Sequence, residues 1–218
     1  MPPKIRILLV DDHPLVREWL TNMINEEPGF EVCGSASNTH EALGLIETLL
    51  PRIVVVDISL DGSSGLELIK DVKATHPKVD MIVLSMHDEM LYAERAMRAG
   101  AAGYIMKREA TKTVLDAIRT VIQGGHYFSN AVNAMLAQKL VQGAGDQPAS
   151  IGSLSDRELE VFQLLGRGYT TRQISGQMNV GFKTVHAYCA RIKEKLNMAN
   201  INELVFHAIR WHESQQTR

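Results

Sequence analysis

The chain has only two cysteines, Cys33 and Cys189, far apart and in no CxxC pattern. That argues against a disulfide scaffold or a cysteine-built metal or redox site, and both thiols read as buried or incidental. Long apolar runs are missing as well, none approaching the roughly 18 residues of a membrane span. The opening MPPKIRILLV gives way to acids too soon to read as a secretory signal. No excess of either charge sign stands out, the formal net charge being −2. Together these absences suggest a soluble protein of a reducing, cytosolic compartment with no membrane partner.

What is present is a globular chain of 218 residues, 45% hydrophobic and 22% charged, long enough for one large domain or two modest ones. Its charge is unevenly spread. Residues 1–142 carry 14 Lys+Arg against 18 Asp+Glu, and residues 153–218 carry 9 against 6, so the two halves are expected to meet different partners. The first ~125 residues alternate strand-like and helix-like stretches. IRILLV, FEVCGSA, RIVVVD, DMIVLS and AGYIMK read as strands, each followed by an amphipathic helix. Thr39 is placed to cap the second of these helices and Gly100 to stop the fourth. Strands without alternation are buried on both faces, which predicts an α/β fold with a five-stranded parallel sheet. NAVNAMLAQKLVQ suits a further helix, and GAGDQPASIGS after it reads as a linker. From Leu154 onward the pattern is helical only, predicting a smaller all-α unit of four helices. The expected divisions are 1–125, a linker region 126–152, and 153–218.

The first strand ends in an oddity, Asp11 beside Asp12. Like charges at the end of a buried strand are costly, so either they cap the next helix or a cation sits there. With strand order 2-1-3-4-5, the carboxyl ends of neighbouring strands bring Asp11 and Asp12 to Asp57, with Ser85 and Lys107 alongside. Three carboxylates with few other donors suit a hard divalent cation such as Mg²⁺. A carboxylate, a metal, a lysine and a hydroxyl without a histidine base suit phosphorylation of the carboxylate itself. His13, His40, His76, His87 and His126 show no metal spacing and read as surface or loop residues.

LLVDDHPLVR, VVVDISLDGSSGLEL, VLSMH and AGAAGYIMKRE resemble the receiver domain of two-component response regulators, a flavodoxin-like fold, over residues 5–123. The resemblance implies Asp57 as phosphoacceptor, supplied by a sensor histidine kinase. It implies Mg²⁺ on Asp12, Asp57 and the Ser59 carbonyl, with Asp11 helping through water, and Ser85 with Tyr104 as a switch pair. Two departures stand out: Asp61 where the family usually has proline, placing a charge near the site, and Arg108 where proline often follows the lysine. An aspartate-nucleophile phosphohydrolase also uses Asp, Lys and Mg²⁺, but needs a general acid where Ser59 stands. No enzyme is therefore expected beyond self-catalysed phosphotransfer and autodephosphorylation.

In the back half, QISGQMNVGFKTVHAYCARIKEKL reads as helix, tight turn, helix, with Asn179 able to turn left-handed and Gly181 at the next N-cap. Val185, Cys189, Ile192 and Leu196 make the inward face. Lys183, Thr184, Tyr188, Arg191 and Lys195 spread over the rest, a pattern that suits double-stranded DNA in the major groove. The whole stretch from Leu154 resembles the LuxR-type helix-turn-helix domain, matching at Glu158, Gly168, Lys183-Thr184-Val185 and Lys195-Leu196. It departs at Gly181, Phe182, Tyr188 and Asn197, so DNA contacts are assigned to Lys183, Arg191 and Lys195, with Thr184, His186 and Tyr188 beside them. Both halves together resemble the NarL/FixJ class. They imply a transcriptional response regulator, a homodimer when phosphorylated or DNA-bound, with RNA polymerase a compatible further partner. The alternative keeps the DNA binding but makes the receiver an unphosphorylated dimerisation module.

Overall fold

A computed structural model describes residues 3–60, 63–142 and 150–216; Asp61 and residues 143–149 of the expected linker region lie outside the described residues. The chain forms two compact units, Met1–Gln138 and Lys139–Arg218. In the first, β1 (Ile5–Val10), β2 (Phe30–Ala36), β3 (Ile53–Val56), β6 (Asp80–Ser85) and β7 (Gly103–Met106) form one sheet in the order β2-β1-β3-β6-β7. All its neighbours pair in parallel, as expected for 2-1-3-4-5. Helices α1 (Pro14–Asn25), α2 (Thr39–Leu49), α3 (Gly65–Thr75), α4 (Glu89–Ala99) and α5 (Ala110–Ile122) alternate with these strands. Every residue of β3 is buried, so the β-branched run Ile-Val-Val-Val packs on both faces. One face carries Ile7, Leu9, Val55 and Ile82 against Leu20 and Ile24 of α1 and Val114, Ile118 and Val121 of α5.

Several local details differ from the sequence expectation. Asn38, not Thr39, caps α2: Asn38 has extended backbone and its side chain accepts from the Glu41 amide. Two cap-competent residues stand side by side, and only the one outside the helix can turn its oxygen back onto the first turn. Neither acid is the N-cap of α1; His13 holds that position, with Pro14 following. The loop after Asp57 contains an antiparallel ribbon, β4 (Ser59–Leu60) with β5 (Ser63–Ser64). The first unit also continues past residue 125. Tyr127 bridges to Gly103 at the β7 edge, Val132 is fully buried, and the Ser129 hydroxyl donates to Glu89 at 2.8 Å. Helix α6 spans Asn130–Gln142.

The second unit holds α7 (Asp156–Gly166), α8 (Thr171–Gln177), α9 (Phe182–Lys195) and α10 (Ile201–Gln216). Ser155 with Glu158 and Thr170 with Gln173 form reciprocal capping boxes at the first two. The α8–α9 turn is made as expected, Asn179 taking φ +50° and Gly181 capping α9; Asn197 closes α9 at φ +54°. Val185, Cys189 and Ile192 are buried.

Candidate functional site

Backbone pairing places the acids. The Asp57 amide donates to the Val10 carbonyl at 2.8 Å, so the residue leaving β3 lies beside the residues leaving β1. The chain then returns tightly, the Gly65 amide donating to Ile58 O at 2.8 Å. Lys107, just past β7, reaches across and puts its ammonium 2.7 Å from Asp57 Oδ2 and 2.6 Å from Asp11 Oδ2. The cation that adjacent acids require is thus supplied by the protein itself, at least in part. Asp57 and Asp11 are 4% and 3% exposed, which makes that pairing necessary.

Compensation is incomplete. Burial pushes the Asp57 carboxyl up to about 6; Lys107 and the Ser59 amide pull it down, and Asp11 adds repulsion. Burial also works against charge on Lys107, but Asp57 and Asp11 hold its ammonium above the usual lysine value. Asp11 Oδ2 and Asp12 Oδ1 are buried and accept no well-formed hydrogen bond, although Lys107 and His13 approach them as charged or polar neighbours. One ligand atom each from Asp11, Asp12, His13 and Asp57 lies within 4.8 Å of the others, so this group could hold a metal ion. Buried carboxylate oxygens short of donors fit a hard divalent cation.

His13 and His87 lie in loops, as expected, and both reach the pocket from there. His13 Nδ1 lies 2.6 Å from Asp12 Oδ1, and its amide donates to Asp11 Oδ1. His87 Nε2 lies 2.6 Å from Ser59 Oγ, its ring stacks on Tyr92, and its amide donates to Ser85 Oγ at 3.2 Å. Adjacency to the acids was a sequence signal for His13. His87 lies two residues beyond Ser85, and nothing in the chain linked it to Ser59. Ser85 is fully buried at the end of β6, and Tyr104 is buried in β7 with its hydroxyl donating to the His87 carbonyl at 2.9 Å. Burial holds the Tyr104 phenol well above its usual range. The structure thus brings Asp11, Asp12 and Asp57 to Lys107, and links Ser59, Ser85 and Tyr104 through His87.

On α9, Lys183, Thr184, His186 and Arg191 are exposed and Tyr188 is half-buried. Lys195 is engaged elsewhere. Its ammonium lies 2.7 Å from Glu158 Oε2 and donates to Ser153 O at 3.3 Å, joining the C-terminus of α9 to the start of α7. Burial would raise the Glu158 carboxyl, but Lys195 and Ser155 outweigh it and hold it below its usual value. Lys195→Met keeps the stem and removes the charge, leaving a carboxylate that is 3% exposed without its cation. The variant should lose about 2 kcal/mol in urea unfolding of the second unit, less than for a fully buried pair because Lys195 is partly solvated. Unchanged stability with weakened DNA binding would return Lys195 to the DNA surface.

A parallel sheet with an acidic pocket at its carboxyl edge, followed by a helix-turn-helix unit, defines a response regulator, and the comparisons agree. Residues 7–119 match the response regulator receiver domain and residues 152–208 the bacterial regulatory proteins of the luxR family. The chain belongs to the two-component response regulators and carries a LuxR-type DNA-binding domain. It is 36% identical over 203 residues to the transcriptional activator protein ExaE of Pseudomonas putida, covering 93% of this chain and 95% of that one. It is 34% identical over 206 residues to the response regulator UvrY of Escherichia coli, covering 94% of each. Among solved structures, the RcsB response regulator of Salmonella typhimurium superposes with a TM-score of 0.72 over 95% of this chain and 98% of its own; at 20% identity this shows the fold alone. Among the described residues, no helix is long and apolar enough to cross a membrane.

Proposed function

We propose that this regulator is a cytoplasmic phospho-switch, with a receiver (1–125), a linker region (126–152) whose start packs on the receiver, and a DNA-binding domain (153–218). The observation that supports it is the Lys107 bridge between two buried carboxylates, one of them raised to about 6. Asp57 is the nucleophile. One of its oxygens bonds to the phosphorus of a sensor kinase's phosphohistidine as the nitrogen–phosphorus bond breaks, and the imidazole leaves with the electron pair. Asp12, Asp57 and the Ser59 carbonyl would hold Mg²⁺, with Asp11 helping through water, and the bound ion would supply positive charge to phosphoryl oxygens. Lys107 moves from the Asp57 carboxylate to a phosphoryl oxygen, and the Ser85 hydroxyl donates to another. Moving Ser85 loosens the His87 segment, on whose carbonyl Tyr104 rests, so the phosphate favours a second arrangement of Ser85, His87 and Tyr104.

That arrangement promotes a homodimer whose two α9 helices read two half-sites in double-stranded DNA, from where RNA polymerase can be engaged. Lys183 and Arg191 supply charge, with Thr184, His186 and Tyr188 beside them, and Lys195 supports the fold. Binding should weaken steeply with salt. The test is the intact mass of the protein after acetyl phosphate and Mg²⁺. A labile, Mg²⁺-dependent phosphoryl adduct is expected on the parent and none on Asp57→Asn. No adduct under conditions that label an established receiver would favour an unphosphorylated dimerisation module.

A further inference from the structure

The first turn of α9 carries a side chain that neither the packing of the second unit nor the receiver chemistry uses. Phe182 is the first residue of the helix, and 49% of its surface is exposed. Its ring meets that of His186 one turn on, centroids 4.4 Å apart and planes at 70°, so the two support each other edge to face. Neither belongs to the buried face of Val185, Cys189 and Ile192. Before it, Gly181 caps the helix with no side-chain cap hydrogen bond, leaving no bulk between the ring and whatever approaches the helix end.

The place of this exposed ring on the chain says what would cover it. In helix-turn-helix proteins the N-terminal residues of the second helix reach the base edges. Of the groups displayed in the major groove, the thymine C5 methyl is the apolar one, and apolar side chains are its partners. Phenylalanine has no hydrogen bond to offer a base edge or a phosphate. Resting on the reading that α9 enters the major groove, we infer that Phe182, steadied by His186, is a specificity-determining residue that reads a thymine methyl in each half-site. His186 is the positioning residue of the pair.

The test separates the methyl from everything else. The full-length chain, treated with acetyl phosphate and Mg²⁺, selects duplexes from a random pool. The recovered site is then titrated with each thymine replaced in turn by deoxyuridine, which removes only the methyl. One thymine per half-site should lose about 4-fold in affinity on replacement, the worth of one buried methyl. Phe182→Ala should bind the two versions equally, and Phe182→Leu, still apolar, should keep part of the preference. A parent indifferent to every replacement, or an alanine variant that keeps the parent's preference, overturns the inference. A uniform loss of affinity with the preference intact also overturns it, making the ring a packing element. Recovery of no duplex at all would overturn the DNA reading and this inference with it.

Discussion

Replacing Gly65 by alanine is expected to cost the receiver unit on the order of 3 kcal/mol and to displace the Asp57 carboxylate. A Cβ built there clashes with the Asp57 carbonyl oxygen and lies 2.9 Å from both the Asp57 carbonyl carbon and Ile58 Cα. All three are backbone atoms of the segment that carries Asp57, so no rotamer change relieves the overlap. Overpacking at rigid sites typically costs about 1–3 kcal/mol, and here the obstacle cannot bend away. Relief requires moving the start of α3 or the Asp57 backbone, and the second choice shifts the carboxylate relative to Lys107. Thermal unfolding should show the receiver transition lowered by roughly 10 °C, and acetyl phosphate labelling should fall with it. An alanine variant that unfolds and labels like the parent would show that the return from Asp57 into α3 is looser than the 2.8 Å hydrogen bond between Gly65 N and Ile58 O implies.

Removing the charge from Asp57 should have the opposite effect on stability. The folded carboxyl is raised from 3.8 to about 6, burial being the main cause. A carboxyl raised on folding binds its proton more tightly in the native state, so the native state holds more protons between those two values. The contribution of this carboxyl should therefore be most favourable below pH 3.8, decline as pH rises through about 6, and stay reduced above it. A rise of this size corresponds to about 2–3 kcal/mol. Asp57→Asn keeps the shape without the charge, so it should be more stable than the parent by about that amount in metal-free urea unfolding at pH 7.5. The gap should close near pH 4. Mg²⁺ should narrow it too, by stabilising the parent and not the variant. If the variant is the less stable at pH 7.5, the Lys107 bridge outweighs the burial of the charge, and Asp57 is not held in a destabilised state.

Both predictions depend on features of differing visibility in the sequence. The strands were legible because β-branched runs such as Ile53–Val56 have no other plausible home than a sheet covered on both sides. Order then followed from parallel connection, and the pocket followed from strand ends. Nothing in the stretch DGSSGLEL singles out Gly65; its contact with Asp57 arises from the β4–β5 ribbon, whose two-residue strands are too short to show periodicity. The Lys195–Glu158 pair was invisible for a different reason. Helical spacing assigns a side chain to a flank, but a flexible lysine chooses its partner across 37 positions of sequence. His87 likewise joins Ser59 only because adjacent parallel strands end together.

At the sheet's far edge, β7 is covered by a residue from beyond α5. The Tyr127 amide donates to Ala102 O and its carbonyl accepts from the Tyr104 amide, both at 2.9 Å. A final strand normally offers a row of unmatched peptide groups on which a foreign strand can polymerise. Here a single residue beyond α5 seals that row where Tyr104 sits. The stretch after α5 thereby covers, at its start, part of an edge that would otherwise be open to a foreign strand.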